Sequence, residues 1–309
     1  MERYTKSLRK LRKTRLTLHA LAMALTMCLP LLTGCFVHVR RVPKAEMPTT
    51  VLTATPDQLT NLINDRYNKI QTLTAQVTFQ LTEGGELRGK EKTYSSFSGY
   101  IVMRRPADVR VIGYIPVVHL PAFDMASNGK DFTMIIPPRS EAFTGSNQVS
   151  KPSKNPIENL RPEVFFHSLL VKSITPDDLR LLTSDTETIV DPKTKHLILL
   201  PLYDLTILHR SNDTSNILTP SRTILFDRTT LEPIEEEIYD AKGAIETQAI
   251  FGPTVNHDGI LFPSRITIRR PLQQYQILVT FEKVRFNQQT NSEEFVVKIP
   301  SGMKVKLLG

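Results

Sequence analysis

The 309-residue sequence contains two cysteines and no tryptophan, and it lacks the short motifs that mark common catalytic sites. No GxSxG elbow, HExxH pair, Walker loop or GxGxxG turn occurs in it. Six histidines lie beyond residue 35: His38, His119, His167, His196, His209 and His257. None stands at metal-ligand spacing from another, so solvated or satisfied core imidazoles are the expectation for each. No transmembrane pattern or short-period repeat appears beyond residue 35. These absences argue against an enzyme and call for no metal and no cofactor.

What is present begins with charge. Arg3, Lys6, Arg9, Lys10, Arg12, Lys13 and Arg15 face one acid, Glu2, and a mainly apolar run from Leu16 to Leu32 follows. This is the layout of a secretory leader. The apolar run is at the lower edge of bilayer-spanning length, so removal rather than retention as an anchor is expected. Leu32-Thr33-Gly34-Cys35 matches the bacterial lipobox, which implies cleavage between Gly34 and Cys35 and acylation of Cys35. Cys28 follows the large Met27 and should escape modification. Cleavage would leave Cys35 alone, excluding an internal disulfide, a CxxC redox pair and a thiolate metal site.

Removing the leader's seven basic and one acidic residue from totals of 39 and 31 leaves 32 and 30. The mature chain is thus nearly neutral, and with no RNA-binding motif or stacking aromatic series, nucleic acid is not an expected partner. Two or three acyl chains hold a protein on a membrane where one does not. Phe36 follows the cysteine in place of the Asp that retains lipoproteins at the inner membrane. The expected location is therefore the outer membrane, lipid-anchored and facing the periplasm.

Residues 1–34 thus read as a lipoprotein leader, 35–55 as a lipidated N-terminus and tether, and 56–309 as one domain. Thr55-Pro56-Asp57-Gln58 is a helix start, and Leu59, Leu62, Ile63, Tyr67 and Ile70 follow on one predicted face. Leu73, Ala75, Val77, Phe79 and Leu81 then alternate with polar residues as a half-buried strand. Further strands are predicted at 97–103, 109–115, 123–126 and 132–136, with a two-residue hairpin at Ser127-Asn128-Gly129-Lys130. A helix opens at Arg161-Pro162-Glu163, and a third short one at Thr175-Pro176-Asp177-Asp178. Strands follow at 196–200, 203–209, 222–226, 235–239, 244–251, 264–270 and 275–286. The pattern is mainly β (α+β), a meandering antiparallel sheet with few helices.

Three segments carry a family likeness: "LTAQVTFQL" directly after the helix; "GYIVMRRPADVRV" continuing to "MASNGKDFTMIIPPRSEAFTG"; and "EEFVVKIPSGMKV" near the C-terminus. In these the chain resembles the outer-membrane lipoprotein carrier and receptor (LolA/LolB-like) superfamily. The resemblance implies a strongly curved antiparallel sheet, an open half-barrel closed by helices around an apolar cavity for acyl chains. It also implies that Arg105, of the Arg-Pro pair, helps hold a lid. The carriers are rich in Trp and this chain has none, a departure in how such a cavity would be lined.

The cavity candidates are Val77, Phe79, Ile101, Met103, Arg105, Val111, Met134 and Ile136, on strand faces that either line a cavity or simply fill a core. Flexible methionines suit a space that must adapt to lipid. Glu235-Glu236-Glu237 alternate along a strand and cannot converge, so solvated strand-end charges are expected. Asp204 is either a buried carboxylate or a residue facing water on an edge made irregular by Pro201. The expected function is non-enzymatic binding of acyl chains or lipoprotein cargo, received from a periplasmic carrier in outer-membrane lipoprotein localisation. The alternative is an interaction module docking on an envelope assembly without a lipid ligand.

Overall fold

A computed structural model describes residues 40–85, 89–147, 153, 156–191, 194–210 and 217–308, with His19 and Met23. Gly34, Cys35 and His38 lie outside the described residues. Helix α1 (Pro56–Lys69) starts as its sequence dictates. Gln58 N donates to Thr55 Oγ1 (3.2 Å), Thr55 N donates to Gln58 Oε1 (2.8 Å), and Pro56 fills the first turn, where an N–H has no partner to lose. Leu59 and Ile63 are buried, whereas Leu62, expected on the same face, is 37% exposed.

From α1 the chain passes into β1 (Thr72–Gly85), whose first residues alternate buried and less buried as the sequence predicts. The strands that follow are β2 (Lys90–Thr93), β3 (Phe97–Arg104), β4 (Asp108–Tyr114), β5 (Pro121–Ser127), β6 (Asp131–Ile136) and β7 (Glu141–Ser146). After helix α2 (Pro162–Leu169) come β8 (Leu179–Val190), β9 (Leu197–Arg210), β10 (Leu218–Asp227), β11 (Glu232–Tyr239) and β12 (Ile245–Phe251). The short β13 (Thr254–His257) and β14 (Ile260–Pro263) pair as a separate hairpin. Finally come β15 (Arg265–Arg270), β16 (Tyr275–Phe286) and β17 (Lys304–Leu308).

Fifteen strands form one sheet in the order β17-β7-β6-β5-β4-β3-β1-β16-β15-β12-β11-β10-β9-β8, with β2 on the end of β1. The sheet is not closed into a barrel. Local hairpins build each wing, and the long-range β1–β16 ladder joins them, with Phe79 opposite Val279. The sheet is mixed rather than purely antiparallel, because β17 pairs in parallel with β7.

Three local expectations change. Strand β9 runs unbroken through Pro201, where two strands were expected. The Pro201 carbonyl accepts from Arg228 N (3.0 Å) at the end of the β10 ladder, so the missing N–H faces the side where pairing stops. The helix expected at 175–178 is a single turn, held by Thr175 N donating to Asp178 Oδ2 (2.7 Å). Residues Glu46–Ala54, read as tether, are tied to the sheet. Glu46 bridges Ile198 in parallel, Leu52 N donates to Arg228 O (2.7 Å), and Ala54 packs on buried Leu205 and its neighbours. Residues Glu46–Gly309 form one compact unit; in the other, Met1–Ala45, the described residues Arg40–Lys44 are exposed.

Both helices pack on the same face of the sheet. There α1 sets Leu59 and Ile63 against Leu205, Ile207, Ile224 and Phe226. Burial of each such side chain contributes roughly 1.5–3 kcal/mol. In α2, Val164, Phe165, Phe166 and Leu169 join a larger cluster with Val77, Ile101, Met103, Val111 and Ile268. The strap after α2 is clasped twice. Asn64 of α1 pairs with the Ile174 backbone through both amide atoms (2.8 and 2.9 Å), and Arg222 of β10 donates to the Lys172 and Ser173 carbonyls (2.6 and 3.0 Å). On the opposite face, Val297 and Met303 of the C-terminal segment cover Ala126, Ile135 and Ala142.

Candidate functional site

One end of the helix-bearing face stays open as a cavity of about 570 Å³. Its walls are mostly apolar and aromatic, with Phe79, Phe97, Phe123, Met134, Phe165 and Tyr275 among them. The four phenylalanines stack as tilted and edge-to-face pairs: Phe79 lies 5.5 Å from Phe97, 6.4 Å from Phe123 and 6.0 Å from Phe165. Two glycines make this possible. Gly99 and Gly113 face each other across the β3–β4 ladder. A Cβ on Gly99 would lie 2.3 Å from Phe79, and one on Gly113 would lie 2.4 Å from Phe123. The rings therefore occupy the space that side chains would fill.

Few polar groups border the cavity. Tyr94 Oη donates to Glu83 Oε2 (2.9 Å), and Ser95 and the exposed Arg139 stand nearby among the lining residues. Ile115 and Pro116 begin the β4–β5 connection, which carries Val117, Val118 and Leu120 at 91, 57 and 62% exposure. Ile115 N donates to Leu120 O (2.8 Å) and closes this loop on itself, while Val117 takes a left-handed φ of 74°, unusual for a β-branched residue.

The structure divides the predicted cavity residues. Phe79, Met134 and Ile136 line the opening. Val77, Ile101, Met103 and Val111 share that sheet face and the same packed cluster but are not among the residues lining the opening. Arg105 is also elsewhere. Its guanidinium lies 3.7 Å over the Tyr67 ring and donates to Tyr67 O (2.9 Å), fastening the end of α1 to the β3–β4 turn. The alternation that identified these residues reports a face, not its covering. Tyr275 and the glycine pair carried no signal that sequence reasoning used.

The acidic residues separate by face as their alternation requires, but Glu236 is not solvated. It is 2% exposed, beside the helix-bearing cluster, and pairs with Arg222 (3.2 Å) across the β10–β11 ladder. Burial raises its pKa, and Arg222 pulls the other way. Asp204 is not on an edge, since β9 is flanked by β8 and β10. Partial burial, with Asp185, Glu187 and Glu237 nearby, raises its pKa. Among the described residues, no group of three His, Cys, Asp or Glu converges as a metal site.

Solved structures provide the comparison. A DUF1329 family protein from Desulfovibrio piger is 13% identical, with a TM-score of 0.50 over 78% of this chain and 95% of that one. A LolA superfamily protein from Nitrosomonas europaea is 12% identical, with a TM-score of 0.47 over 79% and 99%. A Vibrio parahaemolyticus protein described as an outer-membrane lipoprotein-sorting domain is 11% identical, with a TM-score of 0.45 over 78% and 97%. At these identities the likeness, carried by the Desulfovibrio piger protein, is one of fold alone. No protein-family model matches the sequence, and no curated protein matches it.

Proposed function

We propose that this is a non-enzymatic lipoprotein, anchored by acylated Cys35 to the periplasmic face of the outer membrane. It binds acyl chains, free or on lipoprotein cargo, in the cavity beside α2. One observation carries the reading. The opening of about 570 Å³ falls within the roughly 300–1,000 Å³ of small-molecule pockets, and its lining is almost wholly apolar. Such a surface left to water is costly, and an alkyl chain removes that cost. The sheet acts as an open half-barrel with the helices as its closure, and the anchor makes the protein a receptor rather than a shuttle. Handover of a chain from a carrier's cavity to this one keeps it out of water throughout.

Binding of a fluorescent fatty acid and of a lipopeptide to the leaderless chain, residues 35–309 with Cys35→Ser, tests the proposal. Saturable binding at micromolar ligand, competed by unlabelled chain, is the expected result; no binding at that concentration removes the reading. The long outer strand β8, exposed on most of its residues, favours a second reading: docking on an envelope assembly through a free sheet edge. Capture of a partner that β8 variants lose, with no lipid bound, would favour it.

A further inference from the structure

On three strands the cavity lining turns from apolar to polar in the same direction. On β1 it is Phe79, Leu81 and then Glu83; on β6 it is Met134 and Ile136, followed by Arg139 in the turn Pro137–Arg139; ahead of β3, Tyr94 and Ser95 precede Phe97. Neighbouring strands here run antiparallel, so the end of β1, the start of β3 and the end of β6 lie at one end of the sheet. Burial follows the same direction. Phe79, Met134 and Ile136 are at most 5% exposed, whereas Ser95 and Arg139 are exposed. The cavity has an apolar floor and a polar rim.

The charges at that rim do not cancel. Glu83 stands opposite Lys92 in the β1–β2 ladder and accepts from Tyr94 Oη (2.9 Å), while the Lys92 ammonium lies 4.4 Å over the Tyr94 ring. Glu141, opposite Ile136 and on its side of the sheet, has Lys304 across the β7–β17 ladder. Each acid already has a cation facing it. Arg139 makes no hydrogen bond or ion pair among the described residues, although its side chain lines the cavity. Its position is nevertheless set. Two prolines precede it, Ser140 N donates to Pro137 O (3.0 Å), and Lys304 N donates to Ser140 O (2.9 Å), fastening the turn to the next strand. What remains at the rim is one unspent guanidinium, whose fork of donors matches a carboxylate or a phosphate.

We propose that the cavity takes an amphiphile tail first and holds its anionic oxygen head, carboxylate or phosphate, on Arg139 at the rim. The chain runs past Ile136 and Met134 toward Phe79. This rests on the reading of the cavity as an acyl-chain site and narrows the ligand to lipid that carries its own negative charge. Chains on a lipoprotein are joined through uncharged ester, amide and thioether links, which give Arg139 no anion.

The experiment is displacement of pyrene, neutral and headless, from the leaderless chain, residues 35–309 with Cys35→Ser, by palmitate, hexadecyl phosphate and methyl palmitate. At least one anion should bind about fivefold more tightly than the ester, equivalent to about 1 kcal/mol, which is within reach of a charge pair at an exposed site. The tighter anion identifies the head. Arg139→Met keeps an apolar stem against the wall and removes the charge, so it should abolish the preference and leave the ester unchanged. Arg139→Lys should keep part of the preference, and Arg139→Glu should rank the ester first. Because Arg139 is exposed and bonds nothing described in the chain, all three variants should melt with the parent. Equal binding of the three lipids by the parent overturns the rim site while leaving the acyl site intact. So does a preference that survives Arg139→Met. Failure of pyrene and of all three lipids to bind overturns the acyl site itself.

Discussion

Arg222→Met should destabilise the protein strongly at neutral pH and much less in mild acid. Arg222 is 11% exposed, and it makes three bonds: to Glu236 Oε1 (3.2 Å), Lys172 O (2.6 Å) and Ser173 O (3.0 Å). Removing one partner of a buried ion pair costs about 3–5 kcal/mol, because the remaining charge is stranded. The sign with pH follows from Glu236. Burial already holds its folded pKa above the ordinary carboxylate value, with Arg222 restraining the rise. Without Arg222 the pKa climbs further. A group raised on folding adds stability that is complete below its unfolded pKa and is lost as pH rises through the folded one. The defect should therefore shrink as pH falls and Glu236 takes up a proton. Urea titration of Arg222→Met, Glu236→Leu and the double variant at neutral and mildly acid pH measures this. The double variant should recover much of the neutral-pH loss. Additive losses, or a defect that grows in acid, would refute a buried, coupled carboxylate.

Gly113→Val should push Phe123 and Phe97 into the cavity, costing about 1–3 kcal/mol of stability and abolishing pyrene or lipid binding; the Cβ alone would sit 2.4 Å from Phe123. Asn64→Ala removes both bonds to the buried Ile174 backbone and should cost about 1–3 kcal/mol, with faster limited proteolysis at 170–178 as the local readout. Leu59→Ala should cost about 2–5 kcal/mol by denaturant titration. Its neighbour Leu62→Ala, at 37% exposure, should stay within about 0.5 kcal/mol of the parent.

Much of the fold is written in local sequence. The Thr55–Gln58 capping box, the alternation of β1 and the Asn128–Gly129 turn are each set by contacts within a few residues. Asn128 Oδ1, for instance, accepts from Lys130 N and Asp131 N (3.0 and 2.9 Å). What stayed hidden depends on residues far apart in the chain. Met134 and Met103 share a sheet face, a residue type and one packed cluster, yet only Met134 borders the opening. No periodicity encodes that difference. Glu236 read as solvated because Arg222 stands opposite only once β10 and β11 are in register. Pro201 suggested a break because the sequence does not reveal that its missing N–H points where the neighbouring ladder ends. The apolar face of the candidate site was legible; its open end and the glycine recess were not.

The parallel bridge between Glu46 and Ile198 fixes a length. Ten residues lie between Cys35 and Glu46, eleven steps along the chain. At ~3.3–3.6 Å each they span at most about 40 Å. Were Cys35 acylated as proposed, that bridge would be the end of a leash, and the domain would sample only a thin shell of fluid beside the membrane. A ligand leaving the lipid surface, or a carrier arriving there, would then meet the domain within that confined volume, at an effective concentration set by the tether rather than by the cell's stock of the protein.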